Sequence, residues 1–443
     1  MKAGRRGGKT AERQRARTAA RPRSAGDSPR FSAALRRRLL DLRHDLHRHP
    51  ELAFEERETA KRLEAELARL KPVELKRVAG TGVLARIKGR RRGAPAVAIR
   101  GDMDALPIQE ATGLPFTSEV PGVMHACGHD VHATWAVGAA ALLTQQPATG
   151  DVMILLQPAE ETGKGALAML EAGAIEGIAA IFGAHVDRRF PVGQVVADEG
   201  ALAAAADTFK IELVGSGAHG ARPHEARDPI VGAAALIQAL QTIVARRINP
   251  ATPAVVSVTT VHAGSADNVI PERSTLSGTI RTLDGATREL VHAEVKRIVH
   301  ETARAHALEA KLALELGPPP IVNPAQAVSW ARQAVTRVFG AEALVPLGYT
   351  NMAAEDFAWY LEHVPGCFLR IGAREEGGDP IPAHSPRFYA ADEAIFTGAA
   401  VLAETARVAS AALAAQPAAG QKYGGKAVDQ KRKPTKRRAG RTR

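Results

Sequence analysis

The sequence predicts an α/β fold whose sheet carries its chemistry at one edge. Two observations lead there. Short apolar segments alternate with helical stretches through the body of the chain, the mark of an α/β sheet. Four of these segments also deliver acids or histidines just past their carboxyl ends: "PAVAIR" runs into Gly101-Asp102-Met103-Asp104, "DVMILL" into Gln157-Pro158-Ala159-Glu160-Glu161, "IAAIFGA" into His185, and "CFLRIGA", through a Gly-rich loop, to His384-Ser385-Pro386. Open α/β sheets bind ligands in the crevice beyond their strand ends, so these clusters are expected to meet at one rim.

Taken from the N-terminus, the chain opens on a charged segment. Residues 1–30 hold ten Lys/Arg against two acids, and residues 421–443 hold ten against one. These ends carry +8 and +9 of a formal +12, which leaves the body mildly acidic at about −5. Neither end has apolar periodicity, and 1–30 and 416–443 read as disordered basic tails. Nucleic acid is therefore not an expected partner beyond loose contact through the tails. No apolar run approaches the roughly 20 residues of a membrane span, and none is expected. No apolar signal-peptide core follows the first charges, and two cysteines cannot build a disulfide framework, so a cytoplasmic location is expected.

"LRRRLLDLRHDLHRHPELAFEERETAKRLEAELARL" gives two amphipathic helices broken near Pro50. The next informative stretch is "MHACGHDVHAT", three histidines and one cysteine in eleven residues, followed by a helix from "VHATWAVGAAALLTQQ". Cys127 and His129 are expected on the loop at the helix entrance. Read alone, Cys127 is either a small buried side chain or a soft metal ligand, and His185 either a core histidine or a ligand. The adjacent carboxylates Glu160 and Glu161 tip the balance. Two acids directly after a buried strand repel each other unless something positive lies between them.

The candidate ligand set is Cys127, His129, Glu161, His185 and His384. Five protein ligands exceed what one tetrahedral catalytic zinc uses, so two divalent cations sharing a bridging ligand fit better. In an extended chain Glu160 and Glu161 point in opposite directions, which assigns Glu161 to the metal and leaves Glu160 as general base toward a metal-activated water. Asp104 is expected to orient a ligand histidine, with Asp102, Asp130 and His132 as supports. Thiolate and imidazole favour zinc, cobalt or nickel, and carboxylates also accommodate manganese.

With these residues in view, residues 34–412 resemble the dimetal amidohydrolases of peptidase family M20, nearest to hippurate hydrolases, N-acyl-amino-acid amidohydrolases and plant auxin-conjugate hydrolases. The resemblance rests on "DLHRHPELAFEE", "RGDMDALPIQE", "HACGHDVHA", "QPAEE", "GAHV", "GSGAHGARPHEARDPI", "DNVIPE", "GTIRTL", "MAAEDFAWY" and "HSPRF" in that order. It implies the same five ligands and the same catalytic Glu160. It further implies a mixed-sheet, aminopeptidase-like catalytic domain, 31–202 and 316–415, interrupted by an α+β lid or dimerisation domain, 203–315. "DTFKIELVG", "AVVSVTTVHAG" and "STLSGTIRTL" alternate like half-exposed strands, and helical patterns lie between and after them, which suits a four-stranded antiparallel sheet with two helices.

By the same resemblance His219 stabilises the oxyanion, in some members from a partner subunit, in a homodimer or homotetramer. Asn268 and Arg281 resemble contacts to the substrate's carboxylate, and Met352, with Glu355, helps to form the pocket. Read without the resemblance, His219 is a loop histidine, Asn268 an exposed side chain and Arg281 an ordinary strand arginine. Two departures stand out: Thr162 where glycine is common, and Asp187 where many members carry an aromatic. The implied activity is hydrolysis of N-acyl amino acids to a carboxylic acid and an amino acid, with a dipeptidase or carboxypeptidase as the alternative.

Overall fold

A computed structural model describes residues 31–416. The two basic tails, apart from Gln416, lie outside the described residues. A seven-stranded mixed sheet forms the larger unit. From edge to edge its strands are Glu74–Val78, Gly82–Ile87, Val152–Gln157, Ala96–Asp102, Ile178–Pro191, Gly366–Arg374 and Val195–Val196. The four central strands are parallel, and the remaining three pair antiparallel at the two sides.

The near-continuous apolar runs are explained by burial on both faces. Val97 and Ile99 face one side of the sheet, and Ala96 and Ala98 the other. The first face is covered by the helices Ala33–Arg48, Arg57–Ala68, His129–Gln145, Ala325–Phe339 and Glu393–Ala415. His129–Gln145 is buried on every side through Leu143, which is why its sequence lacks an amphipathic stripe. Glu393–Ala415 is long and apolar enough to cross a bilayer by composition alone, yet its apolar residues fill this core. The second face is covered by Gly165–Glu171, Ala358–Leu361 and the paired strands Gly200–Ala203 and Ile321–Asn323.

The inserted α+β domain is a four-stranded antiparallel sheet in the order Ala254–Ala263, Arg273–Thr282, Ala205–Val214, Glu309–Glu315. Two helices, Pro229–Thr242 and Gly285–Ala305, lie on it, capped by the Asp228 and Asp284 side chains. Phe209, Ile211 and Leu213 alternate into its core with Leu276 and Ile280, and their neighbours face away.

Sheet order places the site. Ala96–Asp102 is flanked by Val152–Gln157 on one side and Ile178–Pro191 on the other, so the connection from it to Val152–Gln157 and the next, back across it to Ile178–Pro191, run in opposite directions along the sheet. That divergence opens a crevice at the carboxyl edge of these strands. The strand at His185 does not stop there, as the apolar run suggested, but continues to Pro191.

Candidate functional site

Gly128 sets the entry to the site. It precedes the helix His129–Gln145 with φ 93°, and a Cβ there would meet Val186 Cγ2 at 2.5 Å. The helix begins at His129 itself, so this histidine is its first residue rather than part of the loop. Two non-glycine residues beside the site also hold left-handed backbone, Ala159 at φ 54° and His384 at φ 66°. Such strain persists only where surrounding contacts fix it.

Asp104 is the organiser. Its carboxylate accepts the backbone N–H groups of Glu160, at 3.0 Å, and Glu161, at 3.1 Å. His129 Nδ1 lies 2.9 Å from the Asp104 carbonyl and 3.1 Å from Oδ1, so it is the donor. That fixes the tautomer and leaves the Nε2 lone pair facing the Glu160 and Glu161 carboxylates. His185 is set in the same way, its Nδ1 2.7 Å from the Val186 carbonyl and its Nε2 3.2 Å from Cys127 Sγ.

Glu160–Thr162 forms a 3₁₀ turn and not an extended segment, so alternation does not separate the two glutamates. Both carboxylates reach the same centre, 3.8 and 3.9 Å from His129 Nε2. Glu160 packs deeper. Burial, and after it Glu355, Asp356 and Glu161, hold its carboxyl well above the usual range. Burial also pushes the Cys127 thiol up to about 12, with Glu161 adding to the effect.

The donor set fits two cations. Cys127, His129 and His185 form one group, and Cys127, Glu161 and His384 another, with donor atoms in each group within 4.8 Å of one another. Cys127 belongs to both, the place of a bridging ligand. His129 Nε2 and Glu161 Oε1 are buried without hydrogen-bond partners, and His384 Nε2 stands 3.3 Å from that same Oε1. Orphaned donors converging at this distance are what a cation satisfies.

Beneath the centre lies a buried network. Arg100, fully buried, donates to Gln157 Oε1 at 2.9 Å, to Asp102, and to Asp356 Oδ1 at 2.9 Å, and it pairs with Glu355 at 3.0 Å. Asp102 in turn receives His132 Nδ1 at 2.6 Å, while His132 Nε2 accepts the Val186 N–H at 3.0 Å. On the outer side Asp130 gathers Arg43 and His47, each within 2.9 Å. Sequence reasoning missed Arg100 and Asp356. The available signal was a charge inside the apolar strand "AVAIRGD".

A cavity of about 1000 Å³ opens over the centre, between the sheet edge and the inserted domain. Cys127, Glu160, Glu161, His185 and His384 line its floor, and Arg281 enters from the strand Arg273–Thr282. Met352 does not line it, although Asn351 and Ala353 on either side do. His219 and Asn268 lie elsewhere. They adjoin each other, Gly220 N donating to the Asn268 carbonyl at 2.7 Å, beyond the far end of the inserted sheet. The cavity meets that sheet at Ala206 and Thr208, near the start of the strand Ala205–Val214, and a ten-residue strand spans about 33 Å.

Comparison with known proteins follows the same lines. The profile of "Peptidase family M20/M25/M40" matches residues 98–408. N-acetyl-L-cysteine deacetylase of Bacillus subtilis (strain 168) is 41% identical over 85% of this chain and 89% of its own length. Thermostable carboxypeptidase 1 of Saccharolobus solfataricus is 36% identical over 82% of this chain and 92% of its own. Among solved structures, the Bacillus subtilis YxeP protein, described as a dinuclear metal binding peptidase, superposes with a TM-score of 0.76 at 37% identity, covering 85% of this chain and 99% of that one.

Proposed function

The chain belongs to peptidase family M20/M25/M40 and is a metal-dependent hydrolase, and from that premise we propose that it cleaves the amide bond of N-acyl amino acids, releasing a carboxylic acid and an amino acid. The observation that carries the reading is the placement of Glu160: a buried carboxyl beside a five-ligand centre, at the floor of a cavity that Arg281 enters from above.

Cys127, His129, Glu161, His185 and His384 would hold two divalent cations, which would supply Lewis acidity toward a water and the amide carbonyl. Manganese or zinc is the choice this reading makes, with cobalt or nickel able to replace them. Glu160 moves the proton. Its carboxylate takes one from the attacking water, and its carboxylic acid gives one to the departing nitrogen. Burial, and after it the acids around it, strengthen its hold on a proton, which assists the first transfer, from the water. Arg281 receives the amino acid's carboxylate.

His219 and Asn268 act, in this reading, at the site of a second copy of the chain, in a homodimer or homotetramer built through the inserted domain. His219 there stabilises the oxyanion, and Asn268 assists Arg281. The exposed apolar side chains Val261 and Val269 of the inserted domain support such an interface. Two free buried cysteines suit a reducing, cytoplasmic setting.

The carboxypeptidase relative favours a second reading, cleavage of peptides from their carboxyl end. One experiment separates the two: a hydrolysis panel of N-acetyl, N-benzoyl and indole-acyl amino acids with dipeptides alongside, after reconstitution with each metal. Turnover of N-acyl amino acids at least tenfold above that of dipeptides is expected. The reverse order contradicts the proposal.

A further inference from the structure

The reading above gives one substrate carboxylate a partner and leaves a second cation in the cavity with none. Arg370 stands on the strand Gly366–Arg374, in register with His185 on the neighbouring parallel strand. It is 7% exposed and lines the cavity. Its Nε is buried without a hydrogen-bond partner, and among the described residues no carboxylate lies within ion-pair distance of its guanidinium. The Phe368 ring lies 5.8 Å from it, at the outer limit of cation–π range.

The other arginines of the cavity wall are already engaged. Arg188 forks onto Glu375, at 2.8 and 3.1 Å. Arg189 forks onto Asp187, at 2.9 and 2.8 Å, and Tyr349 donates to the same carboxylate at 3.2 Å. Asp187 is thus neutralised locally and does not reach for Arg370. The Glu355 carboxylate on the floor feels the Arg370 charge but forms its ion pair with Arg100, at 3.0 Å. A buried guanidinium without a carboxylate at ion-pair distance is costly, and a ligand carboxylate, which it grips with two parallel hydrogen bonds, offsets that cost.

We propose that Arg370 binds a second carboxylate of the substrate, so that the preferred substrates are dianionic N-acyl amino acids. The inference rests on the N-acyl-amino-acid reading. One carboxylate goes to Arg281 and the other to Arg370, across the cavity. Two sources supply the second carboxylate: the far end of the acyl group, as in N-succinylalanine, or an acidic amino-acid side chain, as in N-acetylglutamate.

The test compares kcat/KM for N-acetylalanine, N-succinylalanine and N-acetylglutamate in the metal-reconstituted protein and in Arg370→Leu and Arg370→Lys. Expected is at least a tenfold preference for one of the two dianions. Its identity tells which carboxylate Arg370 holds. Arg370→Leu reduces the dianion-to-monoanion ratio at least tenfold, and Arg370→Lys retains part of it. A purely structural arginine lowers all three substrates in parallel and leaves the ratio unchanged, which overturns the proposal, as does the absence of any dianion preference in the parent protein. Turnover of dipeptides alone contradicts the N-acyl reading instead. Calorimetric binding of succinate then decides for Arg370: weakening of at least tenfold in Arg370→Leu supports it, and equal affinity overturns it.

Discussion

His129 shows its Nε2 to the cation centre because Asp104 holds its other nitrogen, at 3.1 Å from Oδ1 and 2.9 Å from the carbonyl oxygen. The same carboxylate fixes the backbone of the Glu160-Glu161 turn. One side chain therefore orients a ligand and the turn that carries the general base. Asp104→Ala should weaken metal binding by about 10–100-fold, as loss of an orienting partner does elsewhere. Competition with a chelating dye measures it. Unchanged affinity would show that the helix entrance alone aligns His129.

Glu160 is predicted to be dispensable for holding metal and indispensable for turnover. Glu160→Gln keeps the size of the side chain and removes the proton acceptor, so kcat should fall by about 10²–10⁴-fold while metal content stays at the parent level. Elemental analysis and steady-state kinetics on one preparation check both halves. A near-normal rate contradicts the assigned role.

Arg100 is predicted to matter for stability first. It is fully buried and gathers Asp102, Glu355 and Asp356. Arg100→Met leaves three carboxylates without their shared cation, and breaking a buried pair in this way costs about 3–5 kcal/mol. Chemical denaturation measures the loss. A change below about 1 kcal/mol, the scale of a surface pair, contradicts the network's importance.

The inserted domain should carry its own acid sensitivity. Burial works to raise the Asp207 carboxyl, but Arg288, then His292 and the Gly317 N–H, outweigh it and hold it below its ordinary value. A lowered folded-state pKa contributes stability above the unfolded value of about 3.9 and loses it as pH falls through the folded value. Asp207→Asn should therefore melt below the parent protein at pH 6, and the gap should narrow as the pH drops below about 4. A gap that stays constant with pH contradicts this account of Asp207.

Much of the site was legible because its residues follow strand ends. Glu161, His185 and His384 were placed together from apolar runs that lead into polar clusters, Cys127 and His129 from the entrance of a helix, and Glu160 was paired with them by the cost of adjacent buried acids. The order of strands was not legible, since register and neighbour choice depend on packing between segments far apart in sequence. The two glutamates were assigned from an extended chain, whereas the left-handed Ala159 bends them into a turn. Arg100 and Arg370 were overlooked because a single charge within an apolar strand reads as an exposed edge until both faces are known to be covered. The distance between His219 and the cavity was likewise invisible, because a strand's length does not tell which of its ends meets the catalytic domain.

The central claim is that five side chains hold two cations, with Cys127 common to both. Metal content per chain, measured by elemental analysis on carefully purified parent protein and on Cys127→Ala, tests it most directly. Two equivalents of transition metal in the parent and a clear loss in Cys127→Ala are predicted. A parent protein that hydrolyses its substrate with no transition metal bound, and in the presence of a strong chelator, contradicts the account.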